Sequence, residues 1–148
     1  MIMKKLFVYL SALLISSSFI SCVNFDTSFK GTWTAYDVKS TLDGTPESES
    51  ALPQKITISD TSINAYIATY INGQGWIFTR EILGVTVPCA FEKPYDYYLD
   101  GNTIYAYTKY DAKGNPIVDF TLQYRNGKLH YHEEWASGRG IADVWLQK

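Results

Sequence analysis

The sequence predicts an all-β fold, a small antiparallel up-and-down β-barrel of about eight strands that follows an N-terminal signal peptide. Three observations predict it. Aromatic residues make up 16% of the 148-residue chain, with 12 Tyr and 4 Trp, which suits strands better than helices. Short runs of alternating apolar and polar residues recur along the chain, and no window beyond the first segment sustains a helical period. Turn signals separate the runs at close intervals, Asn126-Gly127 foremost, because both central positions of a two-residue hairpin turn want positive φ. With 46% hydrophobic and 19% charged residues a packed core is expected, and wholesale disorder is excluded. Thirteen basic against 15 acidic residues give a net charge of −2, without the electrostatic footprint of a nucleic-acid binder. Two cysteines exclude a multi-bridge disulfide scaffold and a four-cysteine zinc site.

Residues 1–21 read as an export signal and are set apart from the fold. Lys4 and Lys5 form a positive start, and Leu6–Ile20 is an apolar run broken by Ser11, Ser16, Ser17 and Ser18. The run falls short of the roughly 20 residues that a membrane-crossing helix needs. It ends in Phe19-Ile20-Ser21-Cys22, a small residue directly before a cysteine. This resembles a bacterial lipoprotein signal, with Phe19 where most such signals carry Leu. The resemblance implies that Cys22 becomes the first residue of the mature protein and carries lipid. Its acyl chains, buried at about 0.8 kcal/mol per methylene, would anchor the chain to a membrane. Val23 stands where an Asp would favour inner-membrane retention, so the expectation is an outer-membrane lipoprotein of the cell envelope. The membrane face stays open: Asp26 is the only acid between Cys22 and Lys30, a weak surface-export signal. Residues 22–28 are then a lipidated tether and 29–148 the barrel domain. Once Cys22 is consumed by lipid, Cys89 has no partner. Its neighbours Val85, Val87, Pro88, Ala90 and Phe91 predict a buried, inert thiol.

Within the domain the strand candidates are Gly31–Thr41, Gln54–Ser59, Ile63–Tyr70, Trp76–Ile82, Ala90–Leu99, Thr103–Tyr110, Ile117–Arg125, Lys128–Trp135 and Ile141–Gln147. Ile104, Ala106, Thr108 and Tyr110 share one face against Tyr105, Tyr107 and Lys109. Val118, Phe120, Leu122 and Tyr124 oppose Asp119, Thr121, Gln123 and Arg125. Leu129, Tyr131 and Trp135 oppose His130, His132 and Glu134. One wet and one apolar face is the pattern of an antiparallel sheet, and closing that sheet removes its exposed edges. About eight strands leave room for side chains or for one small ligand.

The first strand carries Gly31-Thr32-Trp33. A Gly-x-Trp on the first strand of a small antiparallel barrel resembles the lipocalins and their lipocalin-like bacterial relatives. The resemblance spans about Phe29–Lys148, with only the tripeptide specific, and the family's paired disulfides are missing. It implies that Trp33 packs at the barrel base near a basic residue, for which Arg139 is the first candidate and Arg125 the second. It also implies that the polar stretch Leu42–Pro53 is a long lid loop over the mouth. The implied function is binding of a small apolar or amphipathic molecule inside the barrel, by interior residues such as Trp33, Phe120, Tyr131 and Glu133. The alternative is a barrel filled by its own side chains, acting as a non-enzymatic protein- or glycan-interaction module. Abundant Tyr, Phe and Trp fit either.

No motif assigns catalysis. Asn72-Gly73-Gln74-Gly75 is a turn rather than a phosphate cradle, since no Lys-Ser/Thr follows it. Glu92, Asp96 and Asp100 have no spacing that makes an acid–base pair. His130, His132 and Glu134 share a strand face, an arrangement that can hold zinc, but Lys128 on the same face opposes a cation. No metal and no cofactor is expected. Glu133 falls on the inner face beside Tyr131 and Trp135, where pairing with Arg139 is the expected compensation for a buried charge. Tyr95, Tyr97, Tyr98, Tyr105 and Tyr107 are expected to pair across strands, with stacking on sugars or on a partner as the alternative.

Overall fold

A computed structural model of the protein describes residues 27–148. The signal segment, Cys22 and the tether up to Asp26 lie outside the described residues. Twelve strands follow a 3-10 turn at Thr27–Phe29: β1 (Gly31–Leu42), β2 (Thr45–Pro46), β3 (Glu49–Ile58), β4 (Ile63–Ile71), β5 (Gly75–Ile77), β6 (Thr79–Ile82), β7 (Val85–Pro88), β8 (Ala90–Asp100), β9 (Thr103–Tyr110), β10 (Pro116–Arg125), β11 (Lys128–Trp135) and β12 (Gly140–Gln147).

Eight of them make a closed antiparallel barrel in the order β1-β3-β4-β8-β9-β10-β11-β12, and β12 returns to β1 from Thr34↔Gln147 to Leu42↔Gly140. Closure leaves no long edge unpaired, which is why so aromatic a sheet can stay a single body. One end, the base, holds the start of β1, the end of β12 and the β3–β4, β8–β9 and β10–β11 turns. The other end, the mouth, holds the β9–β10 and β11–β12 turns and the β1–β2–β3 connection. The β10–β11 turn has Asn126 at φ 52° and Gly127 at φ 72°, the left-handed pair that Asn-Gly supplies most readily.

The expected alternation holds over β9 to β12. Ile104, Ala106, Leu122, Leu129, Ala142, Val144 and Leu146 are almost fully buried inside the barrel. Val118 and Tyr110 depart from it and stay exposed, where the pairing of β10 with β9 shifts register on both sides of Val118, and Tyr110 packs with Tyr107 of the outer face instead.

Two expectations are corrected. Leu42–Pro53 is not a long lid loop. Asp43-Gly44 makes a two-residue turn at φ 52° and 76°, β2 folds back onto β1, and β3 already begins at Glu49. The polar composition belongs to strand ends at the rim, and Pro53 is accommodated where the β3–β4 register shifts. Trp76–Ile82 is not one strand either. It breaks at Phe78 into β5, which extends the barrel sheet beside β4, and β6, which pairs with β7 as a separate two-stranded spur. The spur turns at Leu83-Gly84, where a fully exposed Leu83 adopts φ 51°. Cys89, at the root of the spur, is half-buried rather than buried.

Candidate functional site

The base is sealed. Trp33 is 1% exposed, and its indole N–H donates to the Phe29 carbonyl at 2.7 Å, so the 3-10 turn caps the barrel from below. Tyr124 meets the Trp33 ring edge-on at 5.9 Å between centroids. The cation over Trp33 is Lys148, not Arg139. Its Nζ lies 4.9 Å from the ring centroid and donates to the Ser28 carbonyl at 2.6 Å. Gly31 makes room for this approach: at φ 115° it takes a conformation that disfavours other residues, and a Cβ there would touch the Lys148 side chain at 3.5 Å. Arg139 lies at the opposite end. It grips Asp43 through Nε and Nη2 at 2.8 and 2.6 Å, tying the β11–β12 turn to the β1–β2 turn. That bond holds the Asp43 carboxyl below its ordinary range. Arg125 lies on the outer wall beside the β10–β11 turn.

Mid-barrel is an aromatic plug. Phe120 packs on Tyr95 at 4.8 Å and on Tyr131 at 4.7 Å between centroids, and all three rings are buried. Trp33 and Phe120 are therefore core residues, separated along the barrel axis.

Above the plug lies the mouth, where Glu133 projects inward from β11 opposite Ala142. Arg139 does not compensate it; the Tyr131 hydroxyl donates to its Oε2 at 2.5 Å. Burial pushes the Glu133 carboxyl above the ordinary carboxylate range against that hydrogen bond, with the charge of Asp119 adding to the shift and Lys93 opposing it. Burial, and then the charge of Glu133, hold the Tyr131 hydroxyl well above its usual range, so it stays a proton donor. Lys93, paired with Ala65 across β4 and β8, sits with Nζ 4.7 Å over the Tyr95 ring.

Glu133 and Trp135 border a cleft of about 220 Å³ whose other walls are Glu47, Glu49, Ser50, Ala51 and Leu52. The side of the cleft is braced by hydroxyls. Ser40 and Ser50 each donate to Glu47 Oε2, at 3.0 and 2.8 Å, and their own oxygens stand 2.7 Å apart. Arg80 of the spur reaches Glu49 at 2.9 Å. The arrangement offers a polar seat of carboxyl and hydroxyl groups beside the indole of Trp135.

Of the residues picked from sequence, the fold brings Phe120, Tyr131 and Glu133 together, and it leaves Gly31 with Trp33 at the far end and Arg139 on the rim. Ser40, Glu47, Ser50, Lys93 and Tyr95 were missed. The signal for the last two was available, since Lys93 and Tyr95 alternate on one face of a strand. The serines and Glu47 meet only through the β1–β2–β3 connection, which a loop reading of that stretch hides.

The histidines lie outside. His130 Nε2 and His132 Nδ1 both contact Asp143 Oδ1, at 2.8 and 2.9 Å, and His132 Nε2 lies 3.4 Å from Glu134. Burial pulls the His132 imidazole down, but the bonds to Asp143 and Glu134 outweigh it and leave its pKa raised. The tyrosines form a ladder on the outer face: Tyr98 of β8 stacks on Tyr105 of β9 at 4.9 Å and meets Tyr107 at 6.2 Å, and Tyr107 lies edge-on to Tyr110 of the same strand at 5.4 Å. In comparisons with known proteins, the chain matches no family model, no curated protein and no solved structure.

Proposed function

We propose that this chain is a lipid-anchored protein of the bacterial cell envelope, without catalysis of its own, that holds a small amphipathic ligand at the barrel mouth. The observation that carries the ligand reading is the cleft in which Glu133 and Trp135 stand above the Tyr95–Phe120–Tyr131 plug. A volume near 220 Å³ lies below the ~300–1,000 Å³ of ordinary drug-sized pockets, so the occupant is a small molecule or the polar end of a longer one. Burial raises the pKa of both Tyr131 and Glu133, and the Tyr131 hydroxyl already donates to the Glu133 carboxyl, which leaves the second carboxyl oxygen for a ligand. The anchor reading rests on Ser21-Cys22 after the apolar run and on a tether short enough to keep the barrel beside its membrane.

One observation favours a second reading. The plug occupies mid-barrel, while the Tyr98, Tyr105, Tyr107 and Tyr110 ladder is presented outside it. That is the layout of an interaction module working through its outer face.

Two experiments separate these claims. Cys22→Ser should move the protein from the membrane fraction to the soluble fraction, and continued membrane retention would refute lipidation. Native mass spectrometry of the chain from Val23 onward, before and after solvent extraction, should find a stoichiometric small molecule. That molecule should be lost in Glu133→Ala and retained in Tyr98→Ala. Retention in Glu133→Ala and loss in Tyr98→Ala would replace the mouth reading with the outer-face one.

A further inference from the structure

The outer wall of the barrel carries a second cleft, of about 270 Å³, lined by Gln123, Arg125, Asn126, Lys128, Leu129, His130 and Trp145. It is independent of the mouth. Register aligns Gln123, His130 and Trp145 in one row across β10, β11 and β12, and pairs Arg125 with Lys128 in the next. Side chains opposite one another on a sheet point to the same face, so the row and the cations flank one hollow.

Its chemistry is specific in kind. The His130 and Trp145 rings lie nearly parallel, 5.0 Å apart at 16°, and Asp143 fixes the imidazole through Nε2. They make a flat, rigid wall. Arg125 and Lys128 are exposed, and neither forms an ion pair among the described residues. Lys128 instead sits with Nζ 5.0 Å over Tyr36. No acidic side chain lines the cleft, although the chain as a whole is acidic. Gln123 and Asn126 add neutral amides, which both donate and accept.

We infer that this cleft is a binding site for an acidic saccharide. The face of a sugar ring has C–H groups that pack against a flat aromatic wall, and its hydroxyls match the two amides. A ring carboxylate matches the planar fork of Arg125 with Lys128 as a second charge. An anionic lipid headgroup shares the charge requirement, but it needs neither a ring platform nor paired amides on the side wall of a barrel. The saccharide is therefore the occupant to which the site commits.

Isothermal titration of the chain from Val23 onward, which carries the entire closed barrel and its core, tests this with two probes, trigalacturonate and sialyllactose. Maltotriose is the neutral control, and phosphatidylglycerol vesicles are the lipid arm. At least one acidic probe should bind saturably, weaken as salt is raised, and exceed maltotriose. The exposed double variant Arg125→Gln/Lys128→Gln should lose at least about tenfold in affinity, the size expected for removing a bidentate charged contact. Trp145→Phe, which keeps a flat ring, should retain more binding than Trp145→Leu. The inference is overturned by failure of both acidic probes to bind at millimolar concentration, by equal affinity in the double variant, or by maltotriose binding as well. Binding to vesicles alone that is lost in the same double variant would assign the cleft to lipid and overturn it too.

Discussion

The two ends of this barrel are built from the same eight strands and obey opposite rules. At the base the interior is closed to water. Trp33 is enclosed, its N–H is satisfied by Phe29, and the Lys148 ammonium lies over the ring rather than in a cavity. At the mouth the polar groups face a cleft. Ser40, Ser50 and Glu47 bond one another, and Glu133 is held neutral-leaning by burial instead of being paired with a cation. The base is built from apolar packing, whereas the mouth gathers polar groups that satisfy one another by hydrogen bonds. Polar groups need such partners to be tolerated away from water, and their clustering at one end around a carboxyl of raised pKa marks a candidate site.

The comparison is broken most directly at the base. Trp33→Ala should cost about 3–5 kcal/mol, the usual range for deleting a fully buried aromatic side chain, and should unfold a marginal domain outright. Urea denaturation of the variant checks this. A loss below about 1 kcal/mol would mean that the base is not the anchor of the fold.

At the mouth the sharpest steric constraint is Gly140. A Cβ on it would lie 2.2 Å from the Trp135 ring, so Gly140→Ala must displace the indole from the wall of the cleft. The expected cost is about 1–3 kcal/mol, smaller than at Trp33 because Trp135 is only half-buried and can swing outward. A red-shifted tryptophan emission should accompany it. Unchanged emission with full stability would show that the indole does not rest on Gly140.

Much of this architecture was legible in the sequence, unevenly and for physical reasons. The barrel class and the four strands β9 to β12 were readable because each has one wet and one buried face and because Asn126-Gly127 has few alternatives to a tight turn. The spur was not readable, since Leu83-Gly84 carries no side-chain signal for its left-handed turn. The rim was misread because Asp43-Gly44, a hairpin signal in its own right, sits inside a polar run that composition assigns to a loop. Trp33 was correctly placed at the base, but its cation was sought at Arg139, whereas closure of β12 on β1 brings the chain's last residue, Lys148, to it. Glu133 was correctly turned inward by alternation. Its partner was not deducible, because that depended on which end of the barrel Arg139 occupies. A pairing within β11, Tyr131 to Glu133, is available only when both side chains point into a confined interior.

The smallest expected effect is the one that separates the two ends by chemistry rather than by packing. Glu133 faces Tyr131, Tyr95 and Asp119, with Lys93 as the opposing cation, and burial is the largest cause of its raised pKa. A carboxyl whose pKa is raised on folding binds its proton more tightly in the native state than in the unfolded chain. Its contribution is therefore most favourable at acid pH, falls as pH rises from the unfolded value through the folded one, and is a constant penalty above that. Glu133→Gln keeps an oxygen to accept from Tyr131 and carries no charge at any pH. The variant should match the wild type near about pH 4, and near about pH 7 it should be equally or slightly more stable, by up to about 1 kcal/mol. Urea midpoints at the two pH values read the difference. A variant that is markedly less stable near neutral pH would mean that Glu133 is ionised and satisfied by Lys93. The mouth would then be a closed ion pair rather than a seat for a ligand. The wild-type result expected here is the opposite one, a stability deficit at neutral pH that a bound ligand can relieve.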